Sequence, residues 1–138
     1  MPFKEKIAWI SLISTVVIWG CYFGFMAFTR MQQPGVIYFV GFFGAVVVQA
    51  VVVAGAAIVT AVLAPKDASA ASDERDKAIG RRAAAFAYPV LITLVLCVVG
   101  GLHLGLSARG MAYGILGAII LAEIVHYGAQ IAGYRAGR

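Results

Sequence analysis

Four long apolar runs, at residues 7–28, 36–64, 83–106 and 111–132, leave this chain few ways to fold. Each supplies the ~20 residues that a helix rising 1.5 Å per residue needs to cross ~30 Å of hydrocarbon. Lipid offers backbone N–H and C=O groups no partners, so only helices and closed barrels span it. The runs are continuous rather than alternating, which is the pattern of helices and not of barrel strands. Composition points the same way. The chain is 62% hydrophobic and 12% charged, whereas a soluble domain is about one quarter charged, so there are too few polar side chains to cover a water-facing surface. The expected architecture is an all-α, integral membrane four-helix bundle, formed as a single domain over residues 1–138, with the lipid bilayer as its first partner. The second run exceeds what the bilayer needs, which predicts tilt or an end protruding into the headgroups.

Orientation follows from the basic residues. Lys4, Lys6, Lys66, Arg75, Lys77, Arg81, Arg82, Arg135 and Arg138 fall on one side of the spans, and only Arg30 and Arg109 on the other, which accounts for all 11. Positive charge stays on the cytoplasmic face. Both termini and the 65–82 loop are therefore expected in the cytoplasm, and the short turns around Pro34 and Ser107 outside. The reading is a multi-pass protein of a bacterial cytoplasmic (inner) membrane. Topology also explains the net charge of +5 better than nucleic-acid binding does, because the basic residues sit between apolar runs and not along one face. A basic start before an apolar run also opens secretory signals, but 7–28 is too long for such a core and no A-x-A site follows, so it is read as a retained span. Cys21 and Cys97 lie inside apolar runs without CxxC spacing and are read as packing residues.

Glycines recur four residues apart at Gly20 and Gly24, Gly101 and Gly105, and Gly110 and Gly114. Such pairs let helices approach closely where apolar burial no longer drives association. They are expected to pack helices within the chain, with an interface between copies as the alternative.

The 65–82 loop changes character midway. After a linker-like Lys66 to Ala71, Ser72 with Asp73, Glu74 and Asp76 places a capping hydroxyl and acids where a helix start favours them. The third helix is thus predicted to begin near Asp73 in the cytoplasm, with Lys77 one turn on and Arg81 and Arg82 meeting the headgroups. Pro89 removes one helix hydrogen bond and predicts a bend. The pattern Asp73-Glu74-Arg75-Asp76, then Ile79 and Arg82, resembles the D-E-R-D/E-x-x-I-x-x-R segment of small bacterial four-helix membrane proteins of unknown function, the DUF2178-like families. That resemblance covers about 17 residues, 72–88, and implies a membrane address without a reaction. The charged run is read either as a cap that holds the helix at an anionic leaflet or as a dock for a cytoplasmic partner.

Polar residues at membrane depth complete the sequence reading. Glu123 lies mid-way along the fourth run, where an ionised carboxylate is costly unless paired, hydrated or protonated. His126, Tyr127 and Gln130 follow on the same helical face, which is expected to look into protein or water. Gln49 and Thr93 fall near the middle of the second and third runs, and Ser11, Ser14 and Thr15 line the first. If these faces converge, they form a polar interior. Glu-x-x-His occurs in di-iron bundles, but those need two such motifs and two further carboxylates, so no metal and no cofactor are expected. His103 is placed at the outer interface. Nucleophile, phosphate-loop and zinc signatures are absent. The leading expectation is a non-enzymatic homo-oligomer or accessory subunit of a membrane assembly. A small proton-coupled transporter using Glu123 is the alternative.

Overall fold

The structure, a computed structural model, describes residues 3–30, 32–63, 65 and 74–136. Those residues are all-α, with helices α1 (Phe3–Phe28), α2 (Gly35–Leu63), α3 (Glu74–Gly100) and α4 (Ala108–Ala136), and a 3-10 turn Gly101–Leu104 after α3. All four are long and apolar enough to cross a membrane. The shortest has 26 residues, about 39 Å at 1.5 Å per residue, which exceeds the hydrocarbon thickness. α1, α3 and α4 begin before the apolar runs that predicted them, most of all α3, whose charged first turns continue directly into the apolar part, whereas α2 matches its run to within a residue. The start at Glu74 agrees with the helix start predicted near Asp73; the proposed cap, Ser72 and Asp73, lies outside the described residues. The helix continues through Pro89 without interruption.

α2 shows why the solvent matters. Thirteen of its 29 residues are β-branched, a composition that favours strands in water. In hydrocarbon the helix is the only single-segment arrangement that pairs every backbone group. Among its residues only Tyr38 is buried. Val47, Val51, Ile58 and Val62 are each more than half exposed, so the helix presents apolar side chains all round, as a lipid-facing helix does.

The chain forms two compact units, Met1–Ala71 and Ser72–Arg138, each an antiparallel helix hairpin. The first is joined by hydrogen bonds and aromatic rings. Trp19 meets Tyr22 edge-on and lies against Phe42, both at 5.8 Å between ring centroids. Tyr22 also packs its ring over Gly41, where an added Cβ would stand 3.5 Å from it. At the turn between α1 and α2, Tyr38, 0% exposed, organises the chain reversal. Its hydroxyl accepts from the Gln33 N–H at 3.2 Å and lies 2.7 Å from Thr29 Oγ1, while Thr29 Oγ1 donates to the Phe25 carbonyl at 2.9 Å. Tyr22 donates to the Tyr38 carbonyl at 3.3 Å. These bonds give the Gln33 N–H an acceptor and the Phe25 carbonyl a side-chain donor at the turn.

The second hairpin is held by small residues. Ala83, Ala87, Ala118 and Ala122 are buried along the seam. Gly114 and Gly133 admit Val98 and Ile79 so closely that an added Cβ would stand 2.9 Å from a methyl in each case. Close backbone approach, with the dispersion it brings, is what holds helices together in lipid. The glycine pairs of the sequence therefore divide. Gly110 and Gly114 pack within the chain. Gly101 and Gly105 build the turn: Gly105 adopts φ +89°, and Leu106 folds back over Gly101 and Gly110. Ser107 then caps α4, its Oγ accepting from the Gly110 N–H at 3.1 Å. Gly20 and Gly24 meet nothing within 4 Å.

Candidate functional site

Two polar clusters sit at mid-helix, one in each hairpin, and they are built oppositely. In the first, Gln49 of α2 reaches α1, its Nε2 lying 3.1 Å from Ser14 Oγ and 3.0 Å from Thr15 Oγ1. Ser14 gives its own proton to the Ser11 carbonyl at 3.1 Å. Its oxygen can then only accept, which fixes the amide nitrogen toward α1. Ser11, Ser14 and Thr15 are buried. The Gln49 carbonyl oxygen is buried and has no hydrogen-bond partner among the described residues. Of the polar residues the sequence placed at mid-run, Gln49 and the hydroxyls of the first span come together, and their bonds tie α1 to α2.

In the second hairpin the polar groups lie outside the seam. Glu123 stands at the middle of α4 and is exposed. It opens on a groove of 410 Å³ bounded by Tyr88 and Leu91 of α3 and by His126 and Tyr127 of α4. The groove exists because its floor is alanine, with Ala87 and Ala122 buried and too small to fill the space between the helices. Tyr88, 67% exposed, forms one wall. Tyr88 and Glu123 each fall close to the centre of their helices. One turn along α4, Gln130 Nε2 lies 2.8 Å from His126 Nε2. An amide nitrogen can only donate, so the imidazole accepts there and a neutral His126 carries its proton on Nδ1. The His126 ring also meets Tyr127 edge-on, at 5.5 Å between centroids.

The remaining sequence candidates are dispersed. Thr93 is exposed and lies five residues beyond Tyr88, outside the groove. His103 is exposed on the 3-10 turn that follows α3. In the charged motif, Lys77 pairs with Glu74 at 3.1 Å across an exposed i,i+3 step. Arg75 and Arg82 are exposed on one face of α3. Asp73 lies outside the described residues. No group of three or more His, Cys, Asp and Glu side chains converges on a metal-sized site among the described residues.

Two features escaped the sequence reading. Glu5, between Lys4 and Lys6, passes for a headgroup charge, yet it is 0% exposed. Its spacing carried the signal, because Glu5, Ala8, Ser11, Thr15, Trp19, Tyr22 and Met26 form one stripe of buried residues on α1. The Tyr38–Thr29 network had no such signal, since an interfacial tyrosine ordinarily points its hydroxyl to water. No protein family, no curated protein and no solved structure matches the chain.

Proposed function

We propose that this is a multi-pass protein of a bacterial cytoplasmic membrane, with both termini inside, that acts without catalysis as a homo-oligomer or as an accessory subunit of a larger membrane assembly. One observation carries the reading: Glu123 and His126 line an open groove near the middle of α4 on the second hairpin. A carboxylate inside an apolar run needs a partner that supplies hydrogen bonds or charge. A partner helix lying in the groove brings such groups, and the alanine floor gives it room for close approach. The 9:2 division of basic residues supports the orientation, and the charged segment beginning α3 supports an inner-leaflet anchor.

A second reading has its own support in the line Glu123, His126, Gln130 along one face of α4. A proton-coupled carrier uses such a series of titratable and polar groups to exchange a proton for a substrate. Two substitutions separate the readings. Glu123→Leu removes all hydrogen bonding and is expected to release monomers in mild detergent, measured by native mass, whereas Glu123→Gln keeps hydrogen-bonding capacity and is expected to assemble normally. If Glu123→Gln assembles but abolishes proton-driven flux in proteoliposomes, the carrier reading replaces assembly. If Glu123→Leu leaves the native mass unchanged, the assembly role of the groove is wrong.

A further inference from the structure

A second groove, of 540 Å³, runs along the other end of the second hairpin. Its α3 wall carries Arg75, Ile79, Arg82 and Phe86, at steps of four, three and four residues, and its α4 wall includes Ala132 and Gly133. Arg75 and Arg82 are exposed and neither forms an ion pair with any described residue, although Lys77 on the opposite face of the helix is paired with Glu74. The groove is polarised along its length. Arg75 stands near the helix start, and Phe86, 67% exposed, lies 11 residues deeper, about 16 Å at 1.5 Å per residue. Between them the α4 wall is glycine and alanine, a smooth apolar trough.

We propose that this groove is a binding site for one anionic phospholipid of the inner leaflet, its phosphate held by Arg75 and Arg82 and one acyl chain lying in the trough toward Phe86. The match lies in the order of chemistry along the membrane normal: two unpaired cations at headgroup level, then an apolar channel in the direction an acyl chain takes. Guanidinium groups suit phosphate because they offer paired donors in a plane. Basic pockets between membrane helices on the cytoplasmic side recognise anionic headgroups in this way. A soluble anion would use the arginines and leave the trough empty, so the trough selects a lipid. The site depends on the membrane reading of the chain but not on the Glu123 groove, which lies farther along the same hairpin.

The test uses the full chain in mild detergent, with native mass spectrometry counting retained lipid after addition of phosphatidylglycerol or phosphatidylcholine. Phosphatidylglycerol is expected to be retained at least tenfold more strongly. Arg75→Gln and Arg82→Gln should each weaken retention about fivefold, which is ~1 kcal/mol per basic residue at 1.4 kcal/mol per tenfold. Ala132→Phe, which fills the trough and leaves every charge in place, should weaken it comparably while circular dichroism shows unchanged helix content. Arg81→Gln is the control, because Arg81 is exposed and adjacent but does not line the groove; it should change retention less than twofold. Equal losses at Arg81 and Arg82 would mean diffuse attraction and overturn the site. Displacement of the lipid by millimolar inorganic phosphate would overturn the lipid assignment in favour of a soluble anion. Equal retention of both lipids overturns the site while leaving membrane embedding intact, whereas retention of neither, with a chain monodisperse without detergent, overturns both.

Discussion

Gln49 gives the sharpest energetic test of the first hairpin. Its amide nitrogen makes two bonds to α1, at 3.1 and 3.0 Å, and a cross-helix hydrogen bond within a membrane contributes roughly 0.6 kcal/mol on average. Two therefore give a coupling of about 1.2 kcal/mol, about eightfold in the unfolding equilibrium at 1.36 kcal/mol per tenfold. A single substitution does not report this number. Gln49→Leu removes the bonds but also removes a buried carbonyl oxygen that has no described partner, and such an orphan costs about 1–3 kcal/mol. The two effects oppose, so Gln49→Leu alone should be close to neutral. Ser14→Ala with Thr15→Val does the reverse: it strands both amide protons in an apolar seam and should destabilise by about 2 kcal/mol. Adding Gln49→Leu to that double variant should restore most of the loss. The assay is reversible unfolding in bicelles by steric trapping across the complete cycle. If the effects of the α1 pair and of Gln49→Leu simply add within about 0.3 kcal/mol, the bonds do not join the helices and the reasoning is refuted.

Three further outcomes follow from local geometry. Gly133→Val should destabilise the second hairpin by about 1–3 kcal/mol, because its Cβ would stand 2.9 Å from Ile79 Cγ2; Ile79→Ala should recover part of the loss in the same unfolding assay. Tyr38→Phe leaves the Gln33 N–H without its acceptor and should cost about 1–2 kcal/mol, seen as faster hydrogen exchange confined to the first turn. Gly105→Ala, at φ +89°, should cost about 1 kcal/mol, whereas Gly20→Ala, which meets nothing, should leave stability unchanged.

The helices were legible because their cause is one-dimensional. A run of apolar residues in a solvent without hydrogen bonds has one way to fold, and counting residues against the bilayer finds it. The ends were legible only where charge marked them: the start of α3 was read from the acids at 73–76, whereas α4 extends into small and basic residues at which a hydropathy reading stops, although water tolerates a helix there as well as lipid does. Side-chain partnership was not legible from depth alone: the sequence marked Gln49 and the first-span hydroxyls as polar positions, and that they pair with each other is seen only in the structure. Depth failed for Thr93, because equal depth does not give equal azimuth: placing Thr93 required the rotation of α3, which is set by where Gly114 and Gly133 let it approach α4. Glu5 was hidden by its neighbours, since two flanking lysines make the position read as solvent although its stripe on α1 is buried.

The opposed construction of the two hairpins is the ground for the proposed use of Glu123. Where a polar group in hydrocarbon already has its partner on the neighbouring helix, as Ser14 and Thr15 have in Gln49, the group serves the hairpin itself and offers nothing to a ligand. Glu123 differs in kind. Its neighbour helix turns alanines toward it, and those alanines are what bring α3 and α4 close; replacing Ala87 or Ala122 with larger residues to cover the carboxylate would force the helices apart at the seam. The packing that stabilises the second hairpin thus prevents the hairpin from satisfying its own acid. A sequence selected only for stability would have resolved that conflict most simply by placing Leu at 123, which removes the desolvation cost and disturbs no contact in the seam. The presence of an acid in this position is what the proposed use outside the hairpin explains, and Glu123→Leu should therefore raise the stability of the isolated monomer while abolishing assembly. A variant that lost both would return Glu123 to a purely structural role.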